Sequence, residues 1–136
     1  MSQATNYLED AIIQHLYRTG SFTKPTVLAH ALYTAAPGEA GGGTEVSGGS
    51  YARVDRPPLD ANWAATSGGN GQTSNVAAIT FAAPTANWGT VTHTAQLDAT
   101  SAGNMLVYGA LTASRVISNG DAAPSFAIGA FVITVA

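Results

Sequence analysis

A mainly β fold, an antiparallel β-sandwich or barrel of about seven short strands with one N-terminal amphipathic helix and long Gly-rich loops, follows from three observations. Residues 88–97, W-G-T-V-T-H-T-A-Q-L, alternate with period two and are rich in Thr and Val, as a half-buried strand is. Beyond residue 20 the chain is cut by Gly, Pro, Asn and Asp into short apolar runs. Helical periodicity is confined to one stretch near the N-terminus. One helix followed by many short strands reads as a single domain, 1–136, of sandwich or barrel type.

Residues 5–19 form the expected helix. Asn6 with Glu9 resembles a capping box, and Glu9 and Asp10 sit where the helix dipole favours anions. Leu8, Ile12 and Leu16 recur every four residues, and Ile13 and Tyr17 widen the apolar stripe. Gly20 is placed to end the helix as its C′ residue. A single helix this short is stable only when docked, on its own sheet or on a neighbour.

Residues 21–25 connect to a strand over 26–34. Its two faces, Leu28, His30, Leu32 and Val27, Ala29, Ala31, Tyr33, are both mostly apolar, which predicts cover on both sides. Residues 35–50, glycine-dense and aperiodic, read as a flexible loop or arm. The remaining β core, 51–136, starts with a strand over 51–56, ended by Pro57 and Pro58. Residues 59–65 hold Trp63, and 66–75 are a second Gly/Ser/Asn loop.

Residues 76–81 and 88–97 read as a hairpin whose corner holds Pro84, since proline would remove a ladder donor in mid-strand. After a polar turn at 98–103 come strands over 104–112 and 113–118, then a turn at Asn119, Gly120 and Asp121. Residues 125–135 read as the closing strand, with Phe126, Ile128, Ala130 and Val132 on one face and Phe131, Ile133 and Val135 on the other. A strand apolar on both faces is central or lies at a subunit contact.

Composition narrows the function. With no cysteine, disulfide scaffolds, thiolate metal sites and thiol nucleophiles are excluded. Net charge is −3 and the five cations, Arg18, Lys24, Arg53, Arg56 and Arg115, are scattered, so neither nucleic acid nor an anionic membrane is an expected partner. The opening residues lack a signal peptide's basic and apolar regions, and no apolar run approaches the ~18 residues that span a bilayer. The expectation is a soluble protein, not exported by a cleavable signal. Charged residues are 10% of the chain, against a norm of about 25%. So sparse a surface suits a chain covered by copies of itself or by a larger assembly.

The residues offer little catalytic chemistry. His15, His30 and His93 make no H-x-H or H-E-x-x-H spacing, and each reads as a core or interface histidine. Asp55, Asp60, Asp98 and Asp121 lie at turns, where Asp bonds the backbone. The glycine runs at 41–43 and 68–71 continue into no G-K-[ST] and open no evident helix, so they read as flexible rather than phosphate-binding. The expectation is no enzyme, no cofactor and no metal. Tyr51, Trp63 and Trp88 are read as sheet anchors, with a glycan platform as the alternative.

Several segments in order, T-N-Y-L-E-D-A-I-I-Q-H-L, A-L-Y-T-A-A-P-G, E-V-S-G-G-S-Y-A-R-V, I-T-F-A-A-P-T-A-N-W-G-T-V-T-H and G-N-M-L-V-Y-G-A-L-T-A-S-R-V-I-S-N-G-D, cover nearly the whole chain. Together they resemble a family of small tailed-bacteriophage virion proteins, usually labelled tail fibre-like. The resemblance implies a non-enzymatic structural protein of a phage particle, located in the virion. A fibre shaft needs heptads or β-helical repeats, which this chain lacks; a domain roughly 30–40 Å across is a knob. The leading expectation is therefore a capsid decoration or cement protein, a homotrimer contacting the major capsid protein. The alternative is a tail-fibre or baseplate accessory that contacts tail proteins and binds host glycan. Leu8, Ile12, Leu16, Phe126, Ile128, Phe131, Ile133 and Val135 are the expected oligomer or shell contacts.

Overall fold

The computed structural model describes residues 2–66 and 68–135. Met1, Ser67 and Ala136, which belong to the opening segment, the 66–75 loop and the last position of the expected domain, lie outside the described residues. In chain order the elements are β1 (Gln3–Ala4), α1 (Asn6–Tyr17), β2 (Ala29–Ala35), β3 (Thr44–Glu45), β4 (Val54–Asp55), β5 (Gln72–Ser74), β6 (Ile79–Thr80), β7 (Gly89–Leu97), β8 (Met105–Ile117), β9 (Ser125–Phe126) and β10 (Val132–Thr134). The fold is mainly β, and every strand pair is antiparallel. None of the described helices is long and apolar enough to cross a membrane.

The main sheet runs β1-β8-β7-β2-β3, with β4 also pairing β2. Two ribbons, β10-β5 and β6-β9, lie outside it. Leu32, Val91 and Ile117 from the sheet meet Ile79, Phe81 and Phe131 from the ribbon side, with Trp88 and Val46 completing the core. On the opposite sheet face Ala31, Tyr33, Ala95, Leu97 and Met105 form a second cluster. β2 is thus covered on both sides, as its two apolar faces predict; Ala29 through Tyr33 are all buried.

β7 changes allegiance along its length. Val91 joins the first core while Ala95 and Leu97 join the second, although strict alternation puts all three on one face. The cause is on β8. Val91 opposes Arg115 but His93 opposes Ala110, so the four residues 111–114 stand opposite the single Thr92, three more than regular pairing allows, and the ladder is reset across the bulge. The two strands expected over 104–112 and 113–118 are therefore one strand with a bulge.

Three other expectations are corrected. Residues 76–81 and 88–97 do not form a hairpin: Ile79 pairs with Phe126 and Thr80 with Ser125. The intervening backbone is held elsewhere, Thr85 N donating to Gly49 O at 3.0 Å and Trp88 N to Ile117 O at 2.9 Å. Residues 125–135 break into β9 and β10 because Asn75 captures the chain between them. Its Oδ1 accepts from Phe131 N and its Nδ2 donates to Ala127 O, each at 2.9 Å, while Gly129 N donates to Asn75 O at 2.8 Å. Gly129 takes φ +77°, which glycine adopts without steric cost. The helix cap is Thr5, not Asn6, and Gly20 is not a left-handed C′ residue; the helix ends on extended Arg18. Gly20 instead lets the chain pass close to Gln14, where a Cβ would sit 3.0 Å from the Gln14 Cβ.

Within 35–50, the stretch whose glycines suggest a loop or arm, Thr44–Glu45 pairs with β2 and Val46 is buried in the core.

Candidate functional site

The element that stands off the sheet is the helix with its return leg, residues 6–28. It leaves and rejoins the sheet at one end: Ala4 pairs with Val107 of β8, and Ala29 pairs with Leu97, which itself pairs with Met105. No residue between Asn6 and Leu28 is buried.

Its root is firm. Thr5 N donates to Leu106 O at 3.0 Å, its hydroxyl donates to Met105 O at 2.5 Å, and Asn6 N donates to Glu39 O at 2.9 Å. The same hydroxyl accepts from Leu8 N at 3.4 Å, so one buried threonine both caps the helix and pins it to β8. On the return leg His15 Nδ1 accepts from Phe22 N at 3.2 Å, and Leu28 N donates to Asp55 Oδ1 at 3.0 Å.

The helix surface carries the candidate chemistry. Leu8 and Ile12 are half-buried, whereas Ile13, Leu16 and Tyr17 are 50%, 64% and 77% exposed. At i, i+3 and i+4 these three share one patch. A twelve-residue helix that buries no side chain within its own chain is marginal in water.

The expected C-terminal contacts are divided. Ile128 and Val135 are 69% and 59% exposed, but Phe131 is buried and Phe126 and Ile133 pack against the core. Phe131 is committed to the core of the subunit, where it meets His30 edge-on at 4.7 Å. The aromatic residues read as sheet anchors, with a glycan platform as the alternative, are held by bonds within the subunit. Trp88 is 5% exposed, with its indole N–H donating to Gly49 O at 2.9 Å and Tyr51 packed edge-on at 5.3 Å. Trp63 is half-buried and donates to Arg56 O at 3.2 Å.

The composition gave no hint of the polar hub behind β3. Glu45 Oε1 accepts from the Tyr51 hydroxyl at 2.9 Å and from Arg53 Nε at 2.8 Å, and Oε2 accepts from Nη2 at 2.7 Å. Arg53 Nη1 also donates to Ala99 O at 2.9 Å and Ala102 O at 2.7 Å, and Tyr51 accepts from Leu32 N at 3.0 Å. Burial pushes the Glu45 carboxyl up, but the bonds from Arg53 and Tyr51 outweigh it and hold it below its usual range. The Glu45 bond holds the Arg53 guanidinium above its usual range, and burial raises the Tyr51 phenol. Four chain segments are tied through one carboxylate. It is a structural lock.

The histidines are far apart in role. His15 lies on the standing helix and His93 bonds Thr92 Oγ1 at 2.8 Å. His30 is fully buried, with Nδ1–H donating to Val54 O at 3.0 Å and Nε2 accepting the Gln96 amide at 3.1 Å. Among the described residues no group of three or more His, Asp and Glu could hold a metal ion.

Residues 3–134 match the family profile described as Podophage GP4 fiber I protein gp80. None of the curated proteins matches the chain. A match over nearly the full length agrees with the order of segments noted in the sequence, and the chain belongs to the podophage GP4 fiber I protein gp80 family.

Proposed function

We propose that this protein is a non-enzymatic, fibre-associated subunit of a phage virion that assembles with copies of itself, the projecting residues 6–28 being its assembly element. The family is one of phage fibre-type structural proteins. The observation that carries the reading is the helix with no buried side chain, whose exposed Ile13, Leu16 and Tyr17 ask for a partner. A sheet core independent of this helix provides the knob, and the helix provides the joint. A trimer on the tail, contacting tail proteins, suits a compact domain with one such joint. The family description favours this position over capsid decoration, in which the same joint would rest on the major capsid protein.

Gold-labelled antibody against the protein on intact virions tests the position. Label confined to the tail and its fibres is expected; label spread over the head would replace this reading with capsid decoration.

A further inference from the structure

We infer that the helix of one copy seats its Ile13, Leu16 and Tyr17 patch in the apolar groove beside Trp63 of a second copy. The inference rests on reading residues 6–28 as the assembly element. The groove has a volume of about 750 Å³ and is lined by Leu28, Pro58, Leu59, Trp63 and Ile133, with Lys24 and Asp60 among its charged residues. No residue of the chain's own helix lines it.

The groove is built before anything enters it. Trp63 is fixed by its bond to Arg56 O and by stacking on buried His30, ring centres 5.6 Å apart. Lys24 Nζ donates to Pro58 O at 3.4 Å, joining the two walls. A volume within the roughly 300–1,000 Å³ of preformed apolar sites suits a few side chains from one helical turn. Leu59, 57% exposed, is left at its mouth.

A second copy is the occupant that matches. Among the described residues the helix carries an exposed apolar patch, and the Trp63 groove is an apolar surface that this helix does not line, so the two match in character. Charges agree as well. The helix bears Glu9 and Asp10 in its first half and Arg18 at its end. The groove offers Lys24 to the acids and Asp60 to the arginine. The contact is heterologous, so every copy uses both surfaces, and it builds a ring such as a trimer where the rotation between copies closes and an open array where it does not.

The chain has no cysteine, so single thiols can be placed cleanly. Leu16→Cys and Leu59→Cys variants are mixed at equal concentration, oxidised and run on a non-reducing gel. A disulfide-linked dimer is expected in the mixture, several-fold above either variant alone. Hydrogen exchange of residues 6–17 is followed across a dilution series of the native chain. Helix protection on assembly without the Leu16–Leu59 bond would overturn the groove while leaving the helix as the assembly element. An assembled chain whose helix stays unprotected would overturn both. A native chain monomeric at all concentrations, or a doubly substituted chain that forms only an internal disulfide, would overturn exchange between copies.

Discussion

Gln96 hands its side-chain amide to the Nε2 of His30 across 3.1 Å of buried space, and that bond is available only while the imidazole is neutral. Burial lowers the His30 pKa from 6.5 to about 4; the Val54 carbonyl opposes this and nearby Arg56 reinforces it. In the unfolded chain His30 takes up its proton near pH 6.5, whereas the folded chain holds out to about pH 4. The unfolded state therefore binds more protons in that window, and stability falls as pH drops through it. The full difference is about 3 kcal/mol. Urea midpoints measured between pH 7 and pH 4.5 are expected to fall steadily. His30→Leu should flatten the slope while lowering stability at pH 7, since it strands the Val54 carbonyl and the Gln96 amide.

Glu45→Ala is expected to cost about 2–4 kcal/mol, because it leaves the Arg53 guanidinium nearly buried without its partner. Replacing Glu45 and Arg53 together with apolar residues should cost less than the two single changes summed. A double-mutant cycle by urea denaturation reads the difference.

Gly49→Ala combines two penalties. Gly49 takes φ +57°, and a Cβ there would stand 2.9 Å from Trp88 Nε1 and 3.0 Å from Ala86. Left-handed backbone alone costs an alanine about 1–2 kcal/mol. A total loss of roughly 2–3 kcal/mol is expected, with a shift in tryptophan fluorescence as the Trp88 bond to Gly49 O is disturbed.

Ile13→Glu with Leu16→Glu should leave the sheet unaffected, since both side chains are at least half exposed and neither touches the core. Surface changes of this kind stay within about 0.5 kcal/mol. Light scattering is expected to show the variant at a lower mass than the native chain at equal concentration, with an unchanged urea midpoint for the β signal.

The sequence discloses those elements whose pattern is set by local burial. β2 and β7 are legible because alternation of small apolar and Thr residues survives in the chain itself, and the helix because its apolar residues recur at turn spacing. What escapes is decided over long range. The alternation of 125–135 is genuine, yet Asn75, about fifty residues earlier, diverts the backbone into a turn. The ion pair of Glu45 and Arg53 links residues whose spacing carries no motif. The candidate contacts divide the same way. Leu16 is legible as part of an amphipathic stripe, but apolar sequence alone cannot say that Trp88 and Phe131 turn inward while Ile13 and Tyr17 remain outside.

The double duty of Thr5 sets an order in time. Its hydroxyl bonds Met105 O, 100 residues downstream. At ribosomal rates of about 5–20 residues per second, that acceptor emerges roughly 5–20 s after the threonine. Until then the nascent helix lacks its hold on β8. On the proposed assembly through residues 6–28, coupling between neighbouring chains on one message would wait until each had completed β8.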